Sequence, residues 1–217
     1  MLNMNFAERV VIDTTALAWQ PSPMAGVLRK PLSRGGEESG HATSLVCYAP
    51  GSSFKAHAHP GGEEILVLDG VFSDEHGDYG PGSYLRNPPG SQHAPFSHDG
   101  CTLFVKLHQF DPADQATVRI DSKNTGWLPG HGGLQVMPLH SFEGEHTALV
   151  RWPAGEVFLP HRHFGGEEIL VLSGTFCDEF GEYPALSWLR SPHQSQHRPF
   201  VREETVILVK TGHLPLL

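Results

Sequence analysis

The sequence predicts an all-β protein made of two tandem β-barrel domains. Short runs rich in Val, Ile, Leu, Phe and Tyr are separated by frequent turn residues, with 24 Gly and 18 Pro in 217 residues, which is typical of sandwiches and barrels. No long amphipathic helix competes with that pattern. Residues 57–96 and 161–200 are identical at 25 of 40 positions without a gap, so the chain is a duplicated domain. We predict an N-terminal domain over residues 1–112 and a C-terminal domain over residues 113–217.

Strands are expected in the same order in both copies. Each copy begins with an apolar entry strand and continues with two strands, a His-rich stretch that leads into a further strand, an acidic turn, a returning strand and a last apolar strand. In the first copy these elements are expected at 9–13, 27–32, 42–49, 57–70, 72–79, 83–86 and 103–107. Because Asp, Glu and Gly dominate 72–79 and its counterpart 176–183, we predict solvated hairpin turns there. Residues 110–115 have loop composition and are predicted to join the domains.

The charge balance and the apolar runs exclude two classes of partner. The chain carries 15 Lys plus Arg against 24 Asp plus Glu, a formal net charge of −9, without a basic cluster, so a nucleic-acid backbone would be repelled. No apolar run approaches the length that spans a bilayer, and the first thirty residues lack the pattern of an export signal. The sequence therefore predicts a soluble cytoplasmic protein that binds neither nucleic acid nor membrane.

Each copy holds residues that can bind a metal ion. Two histidines stand one residue apart, as in His57 and His59, and side chains two apart in a strand project from one face. A turn through two glycines then lets the next strand supply a carboxylate, from Glu63 or Glu64. These two carboxylates would lie on opposite faces of a strand, and the sequence leaves the choice between them open. The same pattern recurs at His161, His163, Glu167 and Glu168.

A third histidine follows 34 residues later in each copy, after a proline turn. These are His93 and His197. Three imidazoles and one carboxylate form a mixed nitrogen and oxygen site, which suits zinc, iron(II), manganese, nickel or copper and does not suit calcium or magnesium. We therefore predict two transition-metal sites per chain.

These residues resemble the two motifs of the cupin family. The first motif, G-x5-H-x-H-x3-E-x6-G, is matched in full twice, by Gly51, His57, His59, Glu63 and Gly70 and by Gly155, His161, His163, Glu167 and Gly174. The second motif, G-x5-P-x-G-x2-H-x3-N, is matched in the first copy by Gly82, Pro88, Gly90 and His93, with Ser97 in the last position. The second copy keeps Pro192 and His197 and has Leu186, Gln194 and Val201 in the other positions.

More narrowly, residues 61–96 resemble the cupin domain of the ChrR anti-sigma factor family, and through the two copies the resemblance covers nearly the whole chain. It implies a bicupin, with two jelly-roll barrels that each hold one metal ion and that often exchange edge strands. The implied ligands are His57, His59, Glu63 and His93 in the first barrel and His161, His163, Glu167 and His197 in the second. The H-x3-C-x2-C motif of the family's sigma-binding helical domain has no match here, so we do not expect sigma-factor binding.

Two functions agree with such sites. The first is a regulatory module that senses a small ligand or oxidative stress, because a closed site with four protein ligands around zinc has no place for a substrate. The alternative is an iron-dependent dioxygenase that acts on a small diketone or hydroxyketone, because a six-coordinate ion with the same ligands keeps two free positions. Zinc is the metal we predict first, with iron(II), manganese or nickel as alternatives. A small molecule is the expected partner, and a homodimer is an open alternative.

Six further residues are candidates for a ligand pocket or for contacts with the metal ligands. An arginine there can bind a carboxylate or enolate, an aromatic side chain can line the pocket, and a glutamine can bond to a metal-bound imidazole. The competing interpretation is structural, with the arginines paired to acidic groups and the aromatic rings in the core. The candidates are Tyr84, Arg86 and Gln92 in the first copy and Trp188, Arg190 and Gln196 in the second.

Overall fold

A computed structural model describes residues 1–36 and 40–216 of the chain. In the first half the strands are β1 (Val10–Asp13), β2 (Gln20–Pro21), β3 (Val27–Arg34), β4 (Ala42–Tyr48), β5 (Ser52–Ser53), β6 (His57–His59), β7 (Glu63–Gly70), β8 (Phe72–Asp74), β9 (Gly77–Tyr79), β10 (Ser83–Asn87), β11 (Ser91–His93), β12 (Phe96–Ser97) and β13 (Cys101–Leu107). In the second half they are β14 (Val118–Asp121), β15 (Leu128–Pro129), β16 (Gln135–Phe142), β17 (Glu145–Trp152), β18 (His161–Arg162), β19 (Glu167–Ser173), β20 (Thr175–Asp178), β21 (Gly181–Pro184), β22 (Ser187–Ser191), β23 (Gln196–His197), β24 (Phe200–Val201) and β25 (Thr205–Thr211). The predicted all-β fold class is confirmed.

Helical structure plays almost no part in this fold. Within the described residues it is limited to one 3-10 turn at Thr14–Ala16, which Asp13 caps by accepting a hydrogen bond from the Thr15 amide. None of the described helical structure is long and apolar enough to cross a membrane.

Contacts between residues divide the chain into two compact units. Unit 1 comprises Met1–Met4 and Ala18–Thr125, and unit 2 comprises Asn5–Leu17 and Gly126–Leu217. The bulk of each unit corresponds to one of the two predicted domains. Residues 5–17 and 113–125 lie in the unit other than the one to which the predicted boundaries assign them.

Unit 1 is organised around β7. Its main antiparallel sheet has the order β14-β10-β7-β13-β4-β3-β2, beside a smaller sheet of order β5-β12-β8-β9 and the pair β11-β6. Side chains alternate between the faces of β7, so that Ile65 and Val67 enter the apolar core and Glu64 and Leu66 turn to the other face. The core side chains of this unit are Val27, Tyr48, Ile65, Val67, Phe72, Leu85, Cys101, Leu103 and Val105.

Unit 2 repeats this arrangement around β19. Its main sheet has the order β1-β22-β19-β25-β17-β16-β15, beside the sheet β21-β20-β24 and the pair β18-β23. The antiparallel pairs β17-β25 and β19-β25 keep the order of their unit 1 counterparts. The core side chains are Leu134, Val150, Trp152, Ile169, Val171, Phe176, Tyr183, Leu189, Val201 and Ile207.

The edge of each main sheet is closed by a strand from outside the unit's own half of the sequence. In unit 2, β1 pairs with β22, with Val11 opposite Leu189. In unit 1, β14 pairs with β10, with Arg119 opposite Leu85. Pairing at these edges satisfies backbone groups that an open edge strand would expose.

The segment 110–115, which was predicted to join two domains, packs into unit 1. The Asp114 carboxylate forms a buried ion pair with Arg86, and the guanidinium carbon of Arg86 lies 4.0 Å from the centre of the Phe110 ring. Charge pairing and stacking therefore fix this segment on the face of the unit 1 sheet opposite its apolar core.

Candidate metal centres

Three histidines of unit 1 converge because β6 and β11 pair with each other. His57 lies opposite His93 in the antiparallel register, and His59 lies opposite Ser91. One nitrogen atom from each of His57, His59 and His93 lies within 4.8 Å of the others, and His59 Nε2 is 2.9 Å from His93 Nε2. This group can hold a metal ion.

A carboxylate completes the unit 1 group. Glu63 opens β7, and its Oε2 lies 3.4 Å from Nε2 of both His59 and His93. The Asn87 amide donates a hydrogen bond of 2.9 Å to the same oxygen. Glu64 lies on the opposite face of the strand, where it accepts a hydrogen bond of 2.9 Å from the Tyr84 hydroxyl. The alternation along β7 thus puts Glu63, and not Glu64, beside the histidines.

Unit 2 contains an equivalent group. His161, His163 and His197 each offer one nitrogen atom within 4.8 Å of the others. His197 Nε2 lies 3.3 Å from His161 Nε2 and 3.4 Å from His163 Nε2. Glu167, the first residue of β19, lies 3.2 Å from His163 Nε2 and 3.6 Å from His197 Nε2. Glu168 contacts His213 at 3.0 Å, away from this group.

In His57 and His161 the ring nitrogen that points away from the group faces a protein oxygen, as expected of metal-binding imidazoles. Backbone carbonyl oxygens lie 3.0 Å from His57 Nδ1, at Lys55, and 2.9 Å from His161 Nδ1, at Leu159. Gln92 and Gln196, which were expected to bond to the imidazoles, have exposed side chains. The Gln196 carboxamide oxygen accepts a hydrogen bond from Arg162 instead.

Two aspartates that the sequence analysis placed in solvated turns face the third histidine of each group. Asp74 and Asp178 are each only 5% exposed. Asp74 Oδ2 lies 3.5 Å from His93 Nδ1, and Asp178 Oδ2 lies 3.8 Å from His197 Nδ1. The prediction of a solvated turn was wrong for these two residues, because each hairpin folds its first carboxylate inward. Both copies keep an aspartate at this position, which was the available signal.

Burial makes His59 and His163 good metal ligands at neutral pH. It lowers the pKa of His59 to about 4 and that of His163 to about 3, with neighbouring imidazoles adding to the effect. These rings are therefore neutral and have a lone pair available for a metal. Burial also raises the pKa of Glu167 to about 7. At pH 7 the Glu167 carboxyl group is therefore protonated in about half of the molecules, and a bound cation would displace that proton.

A cavity of about 330 Å³ lies against the unit 1 group. His57, His59 and Glu63 form part of its wall, and most of the remainder is apolar. Two further basic side chains line it, those of Arg29 and His108. The cavity therefore combines a potential metal site, an apolar wall and positive charge.

The corresponding cavity of unit 2 is smaller and less polar. It has a volume of about 150 Å³ and is lined by His161, His163, Glu167 and His197 together with apolar side chains. The positions equivalent to Arg29 and His108 hold Val136 and Gly212, as shown by the strand register and the spacing of 104 residues between the copies. The two cavities therefore differ in charge as well as in size.

The remaining pocket candidates lie outside both cavities. Arg86 is fully buried between Glu64 and Asp114, and Tyr84 donates its hydroxyl proton to Glu64. Trp188 and Arg190 are also fully buried and are not part of the unit 2 cavity wall. Leu85 and Leu189 enter the two cores, so alternation along β10 and β22 puts these four candidates on the opposite face of each sheet, as it does Glu64.

The match to known families agrees with this geometry. The sequence model of the ChrR cupin-like domain matches residues 7–111 and again residues 115–215. The chain belongs to the ChrR cupin-like family. Its two units are cupin domains, as the motifs predicted. Comparison with curated protein sequences finds no match.

Solved structures show the same cupin fold at low sequence identity. The "putative dioxygenase" of Nostoc punctiforme superposes with a TM-score of 0.82 at 16% identity, covering 94% of this chain and 82% of that one. Protein YlbA from E. coli gives a TM-score of 0.74 at 13% identity, with 100% and 95% covered. Oxalate decarboxylase from Lactobacillus farciminis gives 0.66 at 12% identity, with 95% and 86% covered. At such identities the likeness concerns the fold alone.

Both cupin groups fit a transition-metal ion. In each group three imidazole nitrogens lie within 4.8 Å of one another, a glutamate carboxylate lies beside them, and protein oxygen atoms face the far side of two of the three rings. This donor set suits zinc, iron, manganese, nickel or copper.

Proposed function

We propose that the chain is a metal-dependent dioxygenase whose working centre is the unit 1 group and whose substrate is a small diketone or hydroxyketone. The carrying observation is the cavity of about 330 Å³ bounded by His57, His59 and Glu63. A bound iron(II) ion would supply Lewis-acid and redox chemistry at the inner end of this space. The Nostoc punctiforme neighbour bears a dioxygenase name, which supports testing oxygen chemistry first.

The size and lining of the cavity support a small, partly apolar substrate. Pockets for small molecules bury most of the ligand against apolar side chains, with a few polar groups that fix its orientation. Phe54, Phe72 and Leu103 supply apolar wall in unit 1. His57, His59 and Glu63 would hold the ion against this wall, and the ion would supply a binding point for the oxygen atoms of the substrate.

We assign to Arg29 the role of binding the negatively charged form of the substrate. A diketone or hydroxyketone becomes anionic when it loses its acidic proton, and a guanidinium favours the resulting enolate. Arg29 lines the unit 1 cavity, whereas Val136 holds the equivalent position of unit 2. This assignment takes over the anion-binding role that the sequence analysis gave to Arg86, which does not line the cavity.

The test is oxygen uptake by iron-loaded protein with a panel of small diketones and hydroxyketones. The matched variants are His59→Ala in unit 1 and His163→Ala in unit 2. We expect His59→Ala to abolish uptake and His163→Ala to retain most of it. Absence of uptake in the iron-loaded protein across the panel, or equal loss in both variants, would contradict the proposal.

A second pair of variants tests the role of Arg29. Loss of a hydrogen bond to a charged group costs about 1.5–3 kcal/mol, so Arg29→Met should raise KM by roughly 10- to 100-fold with a smaller change in kcat. Val136→Met, at the equivalent position of unit 2, serves as the control and should leave both constants within about twofold. An unchanged KM in Arg29→Met would remove Arg29 from the substrate site.

The unit 2 group favours a second candidate, a zinc-containing sensory module. Its cavity of about 150 Å³ leaves little room for a substrate, and four protein ligands around zinc can close a tetrahedral site. Elemental analysis of untagged protein purified without chelators separates the candidates. Two equivalents of zinc together with no oxygen uptake after iron loading would support the sensory module, and iron in unit 1 would support the dioxygenase.

A further inference from the structure

The two exchanged segments each carry an arginine that reaches the residues behind a metal group. Arg9 immediately precedes β1, which pairs within unit 2. Arg119 lies within β14, which pairs within unit 1. The repeat aligns Arg119 with Val11, so Arg9 stands two residues from the equivalent position and points to the same face of the strand. Each unit thus has an arginine on the same face of its exchanged strand, but the two arginines stand two residues apart in the aligned repeats.

In unit 2 the contact runs from Arg9 to His197 through one carboxylate. Arg9 Nη2 donates to Asp178 Oδ2 at 2.7 Å and to the Tyr183 hydroxyl at 2.8 Å. The Tyr183 hydroxyl donates to Asp178 Oδ1 at 2.7 Å. Asp178 is thereby held at both oxygens, and Oδ2 faces His197 Nδ1 at 3.8 Å. The side chain of Asp178 is fully buried, whereas that of Arg9 is 27% exposed.

In unit 1 the contact runs from Arg119 to the carboxylate ligand. Arg119 Nη2 donates to Asn87 Oδ1 at 2.5 Å, and Asn87 Nδ2 donates to Glu63 Oε2 at 2.9 Å. The bond from Arg119 orients the Asn87 amide, because it requires the amide oxygen on the side of the arginine and the nitrogen on the side of Glu63.

A second branch of the same arginine leads toward His93. Arg119 Nε donates to the Tyr79 hydroxyl at 3.3 Å, and that hydroxyl donates to Asp74 Oδ1 at 3.2 Å. Asp74 Oδ2 lies 3.5 Å from His93 Nδ1. Arg119 therefore contacts the partners of two different members of the unit 1 group.

We infer that Arg9 and Arg119 are positioning residues for the metal sites of unit 2 and unit 1, respectively. Groups that orient metal ligands from outside the coordination sphere change metal affinity by about 10- to 100-fold when they are removed. The planar guanidinium suits this role because its donors have fixed directions. The inference requires metal binding at the two groups and is independent of the proposed oxygen chemistry.

As a consequence, each metal site depends on an arginine from the other repeat of the sequence. Arg9 belongs to the N-terminal half of the sequence and orients the ligands of the second site. Arg119 follows the first repeat and orients those of the first site. Each metal site therefore depends on a segment outside its own repeat.

The test measures cobalt(II) affinity one site at a time in the full chain. His59→Ala removes the unit 1 site so that unit 2 is measured alone, and His163→Ala does the reverse. In the His59→Ala background, Arg9→Met should weaken cobalt(II) binding by about 10- to 100-fold in competition with a chromophoric chelator. Arg119→Met should leave it within about twofold. In the His163→Ala background the two effects should exchange.

Two further readouts separate positioning from folding. The visible ligand-field spectrum of bound cobalt(II) should change in the affected site only, and Arg9→Lys, which keeps the charge and can reach one oxygen, should restore part of the affinity. Unchanged affinity and spectrum together with a lower melting temperature would overturn the inference, as would equal weakening of both sites by one variant.

If Arg9→Met does not fold, Tyr183→Phe replaces it in the same background. That change removes the hydroxyl that bonds to both Arg9 and Asp178 and keeps the ring in the core. We expect a severalfold loss of cobalt(II) affinity, and an affinity equal to that of the parent would overturn the inference.

Discussion

Two glycines of the first motif allow a direct test of how the barrel constrains its backbone. Gly51 and Gly70 have nearly the same backbone angle, with φ of +75° and +71°. A β-carbon added at Gly51 would meet no atom within 4 Å. At Gly70 it would overlap the carbonyl oxygen of Gly100 and lie 2.7 Å from the Cys101 α-carbon. Alanine substitution therefore has the same conformational cost at both positions and a steric cost at only one.

The expected magnitudes follow from these surroundings. A left-handed conformation costs an alanine about 1–2 kcal/mol, and the stiffer unfolded chain returns about 0.4–1 kcal/mol. Gly51→Ala should therefore lower the free energy of unfolding by about 1 kcal/mol. Gly70→Ala should cost about 2–4 kcal/mol, because the backbone of β13 must also shift to make room for the added methyl group, and such overpacking costs a further ~1–3 kcal/mol.

The assay is urea unfolding of chelator-treated protein, since a bound metal would add its own binding energy to the measured stability. Hydrogen exchange of peptides from unit 1 locates the effect, because two units need not unfold in one transition. A Gly70→Ala cost within 1 kcal/mol of the Gly51→Ala cost would refute the reasoning. It would mean that the backbone at Gly100 and Cys101 can shift to admit the methyl group without breaking its pairing with β7.

Three further predictions concern protons, backbone strain and buried charge. Because the pKa of Glu167 is about 7 in the metal-free chain, metal binding to unit 2 at pH 7 should release about half a proton from this group. Calorimetry of the His59→Ala variant in buffers of different ionisation enthalpy measures it, and binding should tighten as pH rises from 6 to 8. Gln194 is exposed with φ of +62°, so Gln194→Gly should raise the free energy of unfolding by about 0.5 kcal/mol, whereas Gln194→Ala should bring no gain. Arg86→Met should cost about 3–5 kcal/mol in urea unfolding because it leaves buried carboxylates without their cation. Arg202→Met, in an exposed ion pair, should leave the urea midpoint almost unchanged, because water screens that pair.

The metal groups were predictable because local geometry creates them. Alternation along β6 puts His57 and His59 on one side, and the return strand β11 brings His93 to the same place. Strand alternation alone could not choose between Glu63 and Glu64, since the choice depends on which face of β7 meets the core. The resemblance to the cupin motif chose Glu63. Pairing with β10 decides the choice by putting Asn87 opposite Glu63 and Arg86 opposite Glu64.

Asp74 shows why part of the site escaped the sequence analysis. Its segment is acidic and rich in turn formers, a composition typical of solvated loops, and its neighbours Glu75 and Asp78 are indeed exposed. The inward direction of one carboxylate results from tertiary packing of the hairpin β8-β9. The charge of the unit 1 cavity likewise depends on Arg29, which the motifs do not include.

The exchanged edge strands also set an order of events during synthesis. Residues 18–125 complete unit 1 apart from Met1–Met4, and they are made in one stretch. β1 instead pairs with β22, whose residues are added about 170 positions later. At about 5–20 residues per second, β1 waits roughly 10–35 s for its partner while unit 1 can already fold. On a ribosome paused before residue 187, the first barrel would therefore be folded, whereas β1 would still be unpaired because β22 has not yet been made.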